Sequence, residues 1–119
     1  MKNIIHIIVI VLFSTFIASC DKNNGAYYPV PSDFSVSPTT EQSVSKDAAS
    51  IELKINAGNL GWWVESSETW CKPSQKDGSG DGTITLEISE NKSGEKREAV
   101  VTINPTFQLK PVTITVNQE

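Results

Sequence analysis

Beyond position 33, apolar and polar residues alternate along most of this chain. Phe34 and Val36 begin the series, and Ile51, Leu53 and Ile55 alternate with Glu52, Lys54 and Asn56. Ile84, Leu86 and Ile88 alternate with Thr85 and Glu87. Ala99, Val101 and Ile103 follow, then Val112, Ile114 and Val116 with Thr113 and Thr115 between them. A period of two gives each run one apolar and one polar face, as a half-buried antiparallel strand requires. β-Branched residues dominate the runs, while Gly, Pro, Asn and Ser fill the gaps. No helical i, i+3, i+4 stripe persists. Six or seven short strands in about 90 residues predict an all-β fold. The expected architecture is an immunoglobulin-like antiparallel β-sandwich of about seven strands, two sheets on one core.

The first twenty residues obey a different pattern. Lys2 precedes an apolar run from Ile4 to Phe13, interrupted by His6, and Ile17-Ala18-Ser19-Cys20 closes it. A basic residue, a short apolar run and small residues before a cysteine read as a lipoprotein signal peptide over residues 1–19. Cys20 is then the lipidated first residue of the mature chain. The run falls short of the ~20 apolar residues that a membrane span needs. Residues 20–32, with their Asn, Gly and Pro, predict a flexible tether. Residues 33–119 are left as one domain. The predicted location is the cell envelope, lipid-anchored at the outer membrane, on its periplasmic or its surface side.

Charge and cysteine usage narrow the function. Ten basic and fourteen acidic residues give a net charge of -4, which becomes -5 once Lys2 leaves with the signal peptide. An acidic surface does not suit nucleic acid, whose binding relies on Lys and Arg displacing counterions. Nor does it offer a polybasic membrane patch, so membrane contact falls to the lipid. His6, the one histidine, also leaves with the signal peptide. The mature chain then cannot build a Ser-His-Asp, Cys-His or imidazole-rich zinc site. The acidic residues sit singly at strand and turn positions rather than as a pair across a cleft. The reading is a protein without catalytic residues, resident metal or cofactor. With Cys20 committed to lipid, Cys71 has no disulfide partner. It is expected as a small buried hydrophobe rather than a reactive thiol.

Three tryptophans fall within nine residues, in Gly61-Trp62-Trp63-Val64-Glu65 and then Trp70-Cys71. Alternation turns Trp62 and Val64 inward and Trp63 and Glu65 outward. Trp70 opens the next segment and is expected to plug the core. A glycine-rich turn, Gly78-Ser79-Gly80-Asp81-Gly82, follows, then Asn91, Arg97-Glu98-Ala99 and a closing Val116-Asn117-Gln118. In order and spacing these features, from about residue 33 to 119, resemble the Bacteroidetes-associated carbohydrate-binding often N-terminal domain, BACON. The resemblance implies a seven-stranded sandwich and a role in glycan or mucin binding. It also implies structural positions for Trp62, Trp70, Asn91, Arg97 and Gln118. An export signal agrees with the resemblance, because such domains are common on exported Bacteroidetes proteins.

Trp63 is the leading candidate for sugar contact, since sugars present C–H faces that stack on an aromatic ring. Glu65 would serve the hydroxyls. Phe107, in the Pro105-Thr106-Phe107-Gln108 turn, is a further candidate, and the Tyr27/Tyr28 pair a lesser one. Residues 77–82 place oxygen side chains at alternate positions, as in the first half of a calcium loop, but Ile88 stands where the bidentate Glu belongs. A hairpin turn accounts for them. Arg97 and Glu98 are expected on a solvated strand face or in a cross-strand ion pair. Asn91-Lys92-Ser93-Gly94 reads as turn chemistry. Two functions remain: a glycan-binding envelope protein, or a structural spacer or docking module that pairs an edge strand or aromatic surface with an envelope protein.

Overall fold

The computed structural model describes residues 29–119. The predicted signal peptide, the lipidation site Cys20, the Tyr27/Tyr28 pair and most of the tether lie outside them. Residues Pro31–Glu119 form one compact unit. Along it run β1 (Ser35–Ser37), β2 (Gln42–Val44), β3 (Ala49–Asn56), β4 (Gly61–Ser66), β5 (Cys71–Pro73), β6 (Asp77–Ser79), β7 (Gly82–Ile88), β8 (Arg97–Pro105) and β9 (Val112–Gln118). They form a four-stranded sheet in the order β1-β3-β7-β5 and a five-stranded sheet in the order β2-β9-β8-β4-β6.

The period-two pattern and the pairing agree. In an antiparallel pair, directly opposed residues share a face. Leu53 lies opposite Ile84 and Ile51 opposite Leu86, while Val64 opposes Ile103 and Val101 opposes Ile114. The inward rows of the two sheets meet in one apolar layer, where Leu53, Ile55, Leu86, Ile103 and Ile114 are fully buried. The sandwich is therefore as expected, with two differences. Three strands appear that the alternation did not show: β2, β5 and β6 are three residues each, too short to display a period. And β2 pairs with β9 in parallel, because the chain crosses from one sheet to the other between β1 and β2.

The chain enters and leaves at different ends. Ser32 sits where β3 turns into β4, its amide donating to Asn59 Oδ1 (2.8 Å) and its hydroxyl accepting from the Asn59 amide (3.2 Å). We call this the lower end. Gln118 finishes β9 opposite Arg97, the first residue of β8, at the upper end.

The glycine-rich turn closes the lower end around Trp62. That indole is 4% exposed, and a buried indole N–H needs an acceptor. Trp62 Nε1 donates to the Gly80 carbonyl at 3.0 Å. Gly78 lies directly opposite Trp62, so close that a Cβ there would meet the indole Cζ2 at 2.4 Å. The Asp81 carboxylate accepts from the amides of Ala57 (2.7 Å) and Gly58 (3.0 Å). The oxygen side chains that resemble half a calcium loop are thus explained by one of them tying this turn to the β3–β4 turn.

Two predictions follow from this end. Gly78→Ala forces the indole from its seat and should cost about 1–3 kcal/mol, the range for overpacking, by urea denaturation. An unchanged midpoint would show that the ring has room to move. The Gly58 and Ala57 amides, aided by Lys54, hold the Asp81 carboxyl below its ordinary 3.8. Asp81 therefore adds stability above about pH 4, which is lost as pH falls through the depressed value. Asp81→Asn should flatten the acid limb of the stability curve below pH ~4; an acid limb identical to that of the parent would exclude this role.

Candidate functional site

The outer face of the five-stranded sheet carries the sequence-predicted aromatic. Trp63 is 43% exposed, while its neighbours Trp62 and Val64 are buried. Register places Asp77 of β6 on one side of Trp63 and Asn104 of β8 on the other. Glu65, two residues along the same face, lies opposite Thr102, which in turn opposes Thr113 of β9. The platform is thus an aromatic ring bordered by two carboxylates, an amide and two hydroxyls.

The amide matters most. Asn104 Nδ2 is buried from solvent and is the one such side-chain atom among the described residues with no hydrogen-bond partner. An unsatisfied buried donor costs about 1–3 kcal/mol. Neither Asn104 nor Asp77 stands out in the sequence as a neighbour of Trp63. Only the pairing register brings them there.

Phe107 lies in the β8–β9 turn at the lower end and is 48% exposed. Its φ is 61° and that of Gln108 is 56°. Two successive left-handed residues are the mark of a type I′ turn, a position that favours Asn and Gly. Holding Phe and Gln there costs about 1–2 kcal/mol each. The preceding Thr106 ties the turn to β4, accepting from the Gly61 amide at its hydroxyl (3.0 Å) and donating to the Gly61 carbonyl (3.0 Å). Trp63 and Phe107 therefore occupy the same end of one sheet. Glu65 lies higher and lines an open groove of about 600 Å3 with Ser67, Glu68, Lys72 and Lys76.

The other singled-out residues form the upper end. Gln118 is 1% exposed. Its Nε2 donates to the Ser89 carbonyl (2.9 Å) and to those of Lys46 (3.3 Å) and Asp47 (3.4 Å), and its Oε1 accepts from Arg97 Nε (2.8 Å). Arg97 also donates to the Ser89 carbonyl (3.0 Å). Its guanidinium carbon lies 4.3 Å from the Trp70 ring centroid. The expected ion pair or solvated position for Arg97 is corrected: it pairs with a buried amide and an indole. Trp70 is likewise half-buried at the rim rather than plugging the core. Asn91 is 5% exposed, its Nδ2 donating to the carbonyls of Glu95 (2.6 Å) and Glu119 (3.0 Å). It shapes the turn as expected and also fastens the chain's last residue.

Cys71 is fully buried. Burial pushes its thiol pKa up, and a Ser66 hydrogen bond only partly offsets this.

The BACON family model, described as "Putative binding domain, N-terminal", matches residues 61–119. No curated protein matches the chain. Among solved structures, the chain is similar to a Bacteroides ovatus GH5 xyloglucanase in complex with a XXXG heptasaccharide. Identity is 22% and the TM-score 0.67, over 73% of this chain and 19% of that one. It is also similar to titin domain M7, at 14% identity and a TM-score of 0.46, over 77% of this chain and 99% of that domain. This chain therefore spans about a fifth of the xyloglucanase, and the likeness is one of fold.

The buried thiol gives a direct check. In a Cys20→Ser variant, where Cys71 is the single thiol, a thiol-specific disulfide reagent at pH 8 should label it only after denaturant is added. Rapid labelling of the folded protein would restore the reactive-thiol reading.

Proposed function

With residues 61–119 belonging to the BACON family, we propose that this protein is a non-catalytic, lipid-anchored cell-envelope protein that binds glycan through the Trp63 face. The observation that carries the reading is the pairing of an exposed indole with the unsatisfied Asn104 amide beside it. A pyranose C–H face stacks on an indole, while its hydroxyls seek donors and acceptors at the ring's edge. Asp77 and Glu65 supply the acceptors, and the Asn104 amide, unpaired and buried in the free protein, supplies the donor by turning outward to meet the ligand. Phe107, held exposed at the cost of a left-handed backbone, extends the apolar surface at the lower end. The xyloglucanase, solved with a bound heptasaccharide, supports a setting in glycan chemistry. The sequence of residues 1–20 supports the lipid anchor and, with it, the envelope.

Calorimetric titration of the full chain in mild detergent with xyloglucan oligosaccharides and mucin O-glycans tests the proposal. Saturable binding is expected for at least one glycan. Trp63→Ala should weaken it about tenfold or more, the loss of roughly one stacking contact. No heat with any glycan, or affinity untouched by the substitution in a folded protein, would overturn it.

A further inference from the structure

A second aromatic surface, at the upper end of the four-stranded sheet, is backed by a stacked guanidinium. Trp70 lines an open groove of about 530 Å3 together with Ala49, Ser50, Thr69, Lys72 and Glu87. The register accounts for the groove's polar side. Ser50 of β3 lies opposite Glu87 of β7, and Glu87 lies opposite Lys72 of β5. These three exposed side chains form one row on the sheet's outer face, and Trp70 with Thr69 stands at its end.

The backing of Trp70 sets it apart from an ordinary half-buried aromatic. One side is covered by the Arg97 guanidinium, 4.3 Å from the ring centroid. Arg97 is itself fixed by bonds to Gln118 Oε1 and the Ser89 carbonyl, and the buried Gln118 donates to that same carbonyl and to those of Lys46 and Asp47. A ring stacked on a guanidinium that is anchored in this way has little motion left to lose when a ligand arrives, and such preorganisation favours binding. Trp63, on the other sheet, has no comparable support among the contacts described.

The groove's chemistry selects its ligand. Lys72 and Glu87 bear opposite charges on adjacent strands, so the row carries no net charge. Together with the Ser50 and Thr69 hydroxyls they present donors and acceptors beside an apolar wall. The volume falls within the ~300–1,000 Å3 of small-molecule sites. Balanced charge, several hydroxyl partners and an aromatic wall fit a neutral saccharide. An anionic sugar would gain Lys72 and be repelled by Glu87.

We propose that the Trp70 groove is a second glycan-binding subsite, taking a neutral saccharide on the sheet opposite to Trp63. It shares no residue with the border of the Trp63 ring, although Lys72 and Thr69 also line the groove beside Glu65.

Nuclear magnetic resonance separates the two sites, because the three tryptophans give three indole N–H signals. The full 15N-labelled chain in mild detergent is titrated with cellotetraose and xyloglucan heptasaccharide, and with 3′-sialyllactose as the charged comparison. The Trp70 indole and the amides of Ser50, Lys72 and Glu87 should shift saturably with the neutral sugars and not with sialyllactose. Lys72→Ala and Glu87→Gln alter exposed side chains outside the core, and each should raise the Kd about five- to tenfold. Trp70→Phe, which keeps a ring on Arg97, should weaken binding as well. Trp63→Ala should leave these shifts in place. A groove that stays silent at millimolar sugar overturns the proposal, as do shifts whose affinity survives both Lys72→Ala and Glu87→Gln. Binding lost in Trp63→Ala beside a silent groove would sink this second site and keep the first. Groove shifts that persist while Trp63→Ala changes nothing would do the reverse.

Discussion

Gln118 places a primary amide where almost no water reaches, and every polar atom of that amide finds a partner in the protein. Those partners come from the loop ahead of β3, the end of β7 and the start of β8. Leaving such a group unpaired would cost about 1–3 kcal/mol, so the arrangement holds only when all of these segments arrive together. Asn91 works beside it, its backbone amide donating to Lys46 and its side chain to Glu95 and Glu119. Where the apolar layer runs out at the upper end, hydrogen bonds take over its closure. Arg97 rests on this cluster and Trp70 rests on Arg97, so the outer surface there inherits its geometry from the buried amides.

The lower end is closed by other means. One indole fills it, and a glycine is needed at position 78 because a Cβ there would run into the ring. Asp81 then binds the turn to its neighbour through backbone amides. The two ends respond differently to perturbation: the lower one to added volume and to acid, the upper one to loss of any single polar partner. Between them the sheets are ordinary alternating strands. Both candidate surfaces belong to these ends, Trp63 and Phe107 near the lower and Trp70 at the upper.

The long strands were legible because a period of two is a local property, visible in Ile51-Glu52-Leu53 without reference to anything distant. The opposite fates of Trp62 and Trp63 were legible for the same reason. What escaped depends on register and crossing. Strands of three residues such as β5 show no period, and their place at a sheet edge is decided by partners far along the chain. Trp70 looks like core material by size alone; its position at the rim follows from β5 pairing with β7 and from Arg97 lying across the ring. Asn104 is unremarkable in Ile103-Asn104-Pro105 and becomes notable only opposite Trp63. The family resemblance named Asn91, Arg97 and Gln118 as structural positions, which periodicity could not have done, because buried amide networks leave no periodic trace.

The separation of the chain's points of entry and departure has a mechanical consequence. Ser32 is fastened at the lower end and Gln118 at the upper, with a seven-residue strand of β9 between those levels, a rise of roughly 25 Å. Tension applied to whatever is joined ahead of Pro31 and beyond Glu119 would run along the strands and load their cross-strand hydrogen bonds in shear. Sheets resist shear better than peeling, since many bonds must break at once. Loaded that way, the domain would keep its two points of attachment a set distance apart while its two broad faces stay open to the side.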